Sequence, residues 1–109
     1  MSAPAAALFD LDISRVPRTE RAQALLDAMA SRVVVADGAM GTMLQAHDPS
    51  LEDYQQLEGC NEILNVSRPD IIAAVHDAYY EVGVDAVETN TFGAHRANLS
   101  DYEIDDRIN

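Results

Sequence analysis

Two amphipathic stretches, each followed by a short apolar run that stops at a carboxylate, organise this chain. From Thr19 the apolar positions Ala22, Leu25, Leu26 and Met29 recur at i, i+3, i+4 and i+7, the stripe of one helical face. Thr19 suits the N-cap, where its hydroxyl accepts from an otherwise unpaired N–H, and Glu20 suits the positive end of the helix. Val33 to Ala36 is then unbroken apolar, β-branched but for its last member and too short for a helix, which reads as a strand buried on both faces. Asp37 ends it, followed by Gly38-Ala39-Met40-Gly41-Thr42. A short helix follows, with Met40, Met43, Leu44 and His47 on one stripe, and Asp48-Pro49-Ser50 stops it. Leu51 to Ser67 is the least regular section, a long excursion with scattered Leu51, Tyr54, Leu57, Ile63 and Leu64, which reads as a functional lid or an irregular packing segment.

The second unit opens at Ser67-Arg68-Pro69-Asp70. Proline fits the first helical position because its missing N–H has no partner there anyway, and it drives Arg68 out of the α region. Ile71, Ile72, Val75, Tyr79 and Val82 make the apolar face, and Gly83 supplies a left-handed stop. Val84 to Glu88 reads as an alternating strand, with Thr89-Asn90-Thr91-Phe92-Gly93 as the loop at its carboxyl end. Asn98 to Asn109 reads as a short turn and the start of another helix, its Asp101 to Asp106 a solvated acidic start. Residues 1–18, alanine-rich with Pro4 and Pro17, read as a loose arm ahead of a folded 19–109.

Strands separated by helical material are parallel and joined by a right-handed crossover, so Asp37 and Glu88 belong on the same rim of one sheet. Such repetition implies an α/β fold, a (β/α)₈ barrel or a doubly wound sheet, whose chemistry sits at the carboxyl ends of the strands. Gly38-Ala39-Met40-Gly41 is too short for a GxGxxG fingerprint.

Charge narrows the function. Nineteen acidic residues face seven arginines, with no lysine, for a net charge of −12. Such a surface excludes nucleic acid and disfavours anionic membranes, since both need cationic side chains. No signal peptide or apolar run long enough to span a membrane is visible, and a reducing cytoplasm is the simplest setting for one cysteine. Cys60 alone cannot make a structural zinc site and reads as a packing residue; His47, His76 and His95 fit no ligand spacing. The Met40-Met43-Leu44 stripe reads as core.

The motifs DGAMGT (37–42), GCNEILN (59–65), SRPDII (67–72) and ETNTFGA (88–94) stand in an order and spacing that resemble the homocysteine-binding domain of the cobalamin-dependent methionine synthase family, from about Arg32 to Asn109. The resemblance implies a (β/α)₈ barrel, of which this chain would carry about the first two βα units. It implies zinc-dependent methyl transfer to the thiolate of homocysteine from methylcobalamin, with folate as the ultimate methyl source, in methionine biosynthesis. Only the thiolate is a good nucleophile, and a metal keeps it deprotonated. Carried over by motif, Asp37 would face the substrate ammonium and the Gly38 backbone would approach it closely. Glu88, Thr89 and Asn90 would line the pocket, with Phe92 as an apolar wall.

The same resemblance places the three zinc-binding cysteines on later strands, and Cys60 matches none of them. A complete barrel takes roughly 250 residues. The expectation is therefore an amino-terminal segment with no catalytic or metal-binding residue of its own, inactive alone and binding no cofactor alone. Its partners would be the remainder of the barrel and the cobalamin and folate modules. A second reading is a truncated remnant or split-barrel partner without activity. A third is an unrelated βα enzyme fragment using Asp37 and Glu88 as an acid/base pair on a substrate other than a thiol.

Overall fold

The computed structural model describes residues 18–108, so the expected arm lies outside them except for Arg18. The chain divides after Val33 into two units. The first contains helix α1 (Glu20–Ser31), started as its sequence dictates: Thr19 is extended, and its hydroxyl accepts from the Ala22 N–H at 3.1 Å. Its apolar stripe is half-buried at Ala22 and Leu26 and exposed at Leu25 and Met29.

The second unit is built on four short helices: α2 (Met40–Ala46), α3 (Leu64–Ser67), α4 (Pro69–Glu81) and α5 (Arg96–Asp101), with 3₁₀ turns at Asn61–Ile63 and Asp105–Arg107. Leu44 of α2, Leu64 of α3 and Ile71 and Val75 of α4 are buried together. Met40, Met43, Tyr54, Ile72 and Tyr79 pack around them. The methionine stripe is thus core, as its spacing implied, whereas His47 caps α2 at its C-terminus and is exposed. Pro69 occupies the first turn of α4, and Arg68 sits outside the α region at φ −140°, ψ 59°. Gly83 takes φ +98°, the left-handed conformation expected of it. Val82 is corrected from the apolar face to an exposed C-cap, because the helix ends one residue before it.

Two further expectations change. The two strands are reduced, among the described residues, to a single parallel bridge, Ala36 to Ala86. Val33 is 82% and Val35 50% exposed rather than buried on both faces. A parallel pair buries its faces only under covering helices and further strands, and one bridge supplies neither. The orientation survives this reduction. Asp37 N–H donates to the Ala86 carbonyl at 3.1 Å and Ala86 N–H to the Val35 carbonyl at 3.3 Å, the slanted pattern of a parallel pair.

The irregular 51–67 section packs rather than standing off as a lid: Cys60, expected as a packing residue, is buried with Ile63 and Leu64, and a 3₁₀ turn runs straight into α3. At the C-terminal end the order is reversed from that expected. Helix α5 comes first, started by the His95 side chain accepting from the Asn98 N–H, and the turn and 3₁₀ segment follow. The acidic side chains from Asp101 to Asp106 are exposed.

Candidate functional site

The parallel bridge brings the two acid-tipped segment ends side by side. Two residues past the bridge, the Glu88 N–H donates to Asp37 Oδ1 at 2.9 Å, so one carboxylate oxygen fastens the neighbouring segment. Asp37 Oδ2 has no protein donor among the described residues. Immediately after it the backbone turns sharply: Ala39 adopts the left-handed region at φ 53°, ψ 36°, and α2 begins at Met40. A non-glycine residue in that region is strained, and such strain concentrates at sites where a loop is held for a purpose.

Between these ends lies a cleft of about 80 Å³ lined by Asp37, Gly38, Ala39, Met40, Glu88, Thr89, Asn90 and Phe92. All six residues singled out from the sequence line it. Ala39 and Met40 were not foreseen as lining; an αL alanine leaves no sequence signature, and Met40 reads as core because it packs there as well. Space beside Gly38 is open, with nothing within 4 Å of where a Cβ would stand. Phe92 lines the rim and is fully exposed.

Asn90 is 7% exposed, and its side chain serves the fold before it serves any ligand. Its amide nitrogen donates to the Asn61 carbonyl at 2.9 Å and to Asn65 Oδ1 at 3.0 Å, while Asn65 Nδ2 returns a bond to the Asn90 carbonyl at 2.7 Å. Every fully buried side-chain polar atom among the described residues has a partner. Asn90 Oδ1, which has none, therefore keeps contact with solvent. Beyond it, Gly93 N–H donates to Glu62 Oε1 at 2.8 Å, and Asn98 Nδ2 donates to the Gly93 carbonyl at 2.8 Å. Asn61, Glu62, Asn65 and Asn98 thus hold the 89–93 loop, a role that sequence reasoning missed. The GCNEILN motif was visible; its partners, 25 to 31 residues away, were not.

On the outer side, α4 reaches both segment ends. The Tyr79 hydroxyl donates to the Gly38 carbonyl at 2.7 Å, and His76 Nε2 meets the Glu88 carbonyl at 2.9 Å. A carbonyl only accepts, so Nε2 carries the proton. The Thr89 and Thr91 hydroxyls pair at 2.7 Å.

The cleft is rich in acceptors and poor in cations. Asp37 and Glu88 supply two carboxylates, Asn90 an amide oxygen, and no arginine lines it. Such a lining suits an ammonium group and opposes an anionic ligand end unless hydroxyl or backbone donors meet it.

With the geometry in place, comparison with known proteins decides the family. The model of the homocysteine S-methyltransferase family matches residues 34–109. The chain belongs to that family. Homocysteine S-methyltransferases are of TIM-barrel type, and the matched region covers the whole cleft and everything that holds it. Two curated relatives are named methionine synthase. That of Mycobacterium tuberculosis (strain ATCC 25618 / H37Rv) is 61% identical over 84 residues, 77% of this chain and 7% of the relative. That of Mycobacterium leprae (strain TN) is 56% identical over 84 residues, with the same shares. The chain thus spans about 7% of the length of these relatives. No solved structure matches. Against this family match, the reading as an unrelated βα enzyme gives way.

The homocysteine S-methyltransferase resemblance implies zinc, and the donors present do not fit it. Among the described residues no three His, Cys, Asp or Glu side chains stand close enough to hold a metal ion. Cys60 is fully buried, and burial pushes its thiol above the usual value, with the Glu62 charge adding to the effect. A thiol held protonated is neither nucleophile nor ligand. No helix among the described residues is long and apolar enough to cross a membrane.

Proposed function

We propose that this chain supplies the amino-acid pocket of a homocysteine S-methyltransferase of the methionine synthase type, acting in the cytoplasm. The observation that carries this reading is the convergence of Asp37, Gly38, Glu88, Thr89, Asn90 and Phe92 on one cleft within the family-matched region. In this reading segments 33–37 and 84–88 occupy the places of the first two barrel strands. The homocysteine ammonium lies against Asp37 Oδ2, with Asn90 Oδ1 as a second acceptor. The substrate carboxylate takes donors from the Thr89 hydroxyl and loop N–H groups. Open space beside Gly38 admits the ligand backbone, and the thioalkyl chain covers the bare face of Phe92.

Zinc and methylcobalamin would supply thiolate activation and the methyl group in the complete enzyme, and no step here runs through residues of this chain. What these residues do is bind and orient. Asp37 does two jobs at once, since Oδ1 sets the distance between the segment ends and Oδ2 presents charge to the substrate. Glu88 deepens the negative potential at the mouth and so favours entry of the ammonium end first.

The exposed Val35 and Phe92 and the single bridge favour a companion reading, that the chain works joined to the rest of a barrel and is inactive alone. Open strand edges and bare apolar side chains are stabilised by exactly such a neighbour.

Titration of homocysteine into ¹⁵N-labelled chain tests the pocket. Amide shifts concentrated at Gly38, Ala39, Thr89 and Asn90 are the expected result. Asp37→Asn keeps an acceptor for the Glu88 N–H and removes only the charge, so the spectrum of the free chain is preserved while affinity falls by about tenfold or more. A spectrum indifferent to homocysteine, or an unchanged affinity in Asp37→Asn, refutes the reading.

A further inference from the structure

We propose that His76 and Tyr79 are positioning residues for the cleft, a clamp on α4 that sets the separation of its two lips and so its fit to an amino-acid ligand. The inference rests on the amino-acid reading above and extends it to residues that do not line the cleft.

The argument is one of register. The bridge pairs Ala36 with Ala86. The two carbonyls taken by α4 belong to Gly38 and Glu88, each two residues beyond its bridge partner. One helix therefore holds both segment ends at the same height, with one side chain for each. His76 and Tyr79 are three residues apart, hence neighbours on one helical face. That face is anchored: Val75, beside His76, is fully buried, and the Tyr79 ring packs against the core formed by Leu44, Leu64, Ile71 and Val75.

Asn61, Glu62 and Asn65 hold the loop that follows Thr89, and the bonds from α4 act one step earlier, on the lips themselves. Beyond the bridge, the link between them on the cleft side is the single bond from the Glu88 N–H to Asp37 Oδ1. Asp37 is also the carboxylate offered to the ligand, so its position is better set by other groups than by the ligand it binds. The outer bonds from α4 do that. Each holds the peptide unit leading into Ala39 or Thr89, and these two residues line the cleft. The strained left-handed Ala39 follows directly on the carbonyl that Tyr79 holds. A local conformation of that kind persists when surrounding bonds over-determine it.

Three variants of the full 109-residue chain test the clamp. Tyr79→Phe keeps the packed ring and deletes the donor. His76→Ala deletes the other donor, and His76→Gln restores an N–H within similar reach. In the ligand-free chain, Tyr79→Phe should displace the Ala39 amide resonance and speed its hydrogen exchange, and His76→Ala should do the same at Thr89. The dispersed spectrum of the core stays in place. For homocysteine, each deletion raises Kd between about two- and tenfold, the range for one net hydrogen bond, and His76→Gln recovers most of the loss. A purely structural role would lower the melting temperature without this split between Gln and Ala.

Wild-type Kd in both deletions overturns the proposal, as does a Gln variant no better than Ala. If the wild-type chain gives no homocysteine-induced shifts, the amino-acid reading fails by itself. The clamp is then decided by the ligand-free amides, and unmoved Ala39 and Thr89 resonances in both deletions overturn it. Should one deletion fail to fold, the other decides alone, since each acts on a different lip.

Discussion

Two glycines near the cleft separate space kept for a ligand from space already taken. A Cβ on Gly38 would meet nothing, whereas one on Gly93 would collide with the Glu62 carboxylate and the Asn98 amide. Gly93→Ala is therefore expected to lower stability by about 1–3 kcal/mol, as overpacked sites do, and to break the Glu62 bond that holds the loop. Gly38→Ala should leave the melting curve within about 0.5 kcal/mol of wild type. Its new methyl group would nevertheless stand in the cleft and weaken homocysteine binding. Paired thermal melts and titrations check both. At this scale the sequence was most informative about chemistry: Asp37 and Glu88 stand out because each sets a charge at the end of a short β-branched or alternating run. It offered Asn90 only as a pocket residue, through the resemblance, and not as the loop's anchor on Asn61 and Asn65, because nothing local to Asn90 announces partners that lie on another turn.

Helix starts and stops are local, and three read from the sequence hold: Thr19 and Pro69 open helices and Gly83 closes one, whereas the last helix starts at Arg96, ahead of the turn expected from Asn98. The junction before α4 shows what such a local signal goes on to build. Arg68, pushed out of the α region by Pro69, turns its guanidinium to Asp53 at 3.0 Å and Asp70 at 2.9 Å. Asp53 is held below the ordinary carboxylate value of 3.8 chiefly by the Ser50 N–H, with Arg68 adding to it, and Asp70 is lowered chiefly by its bond to Arg68. Folded values below unfolded ones mean that the unfolded chain takes up protons first. The stability these groups give is complete above about pH 4 and is lost as pH falls through the lowered values. Urea unfolding at pH 7 and at about pH 3 should therefore show a smaller acid loss in Asp53→Asn/Asp70→Asn than in wild type. Because both pairs are open to solvent the effect will be modest. Strands fared worse than helices at this scale. A β-branched run announces extended backbone, but a ladder needs a partner at every residue, and here one residue from each segment is paired.

In the second unit, one small core carries the whole site. Leu44, Leu64, Ile71 and Val75 come from three helices, and Met40 both packs on them and lines the cleft. Leu64→Ala should cost about 2–5 kcal/mol, a large share of the stability of any domain this size, and abolish homocysteine shifts together with the fold. A denaturant midpoint and a titration of the same sample check that coupling. The residues that meet at the cleft were named through the resemblance their motifs carry. The primary structure by itself determined the starts of α1 and α4, the left-handed stop at Gly83, the apolar face of α4 and the net charge. These follow from backbone preference, side-chain period and charge, all of which act over a few residues or on the chain as a sum. Only the tertiary structure decided that the strands shrink to one bridge, that Leu64 joins the core, and that an asparagine pair and a histidine–tyrosine clamp hold the lips. Those features depend on which distant groups come within bonding distance of one another, and no local pattern encodes that.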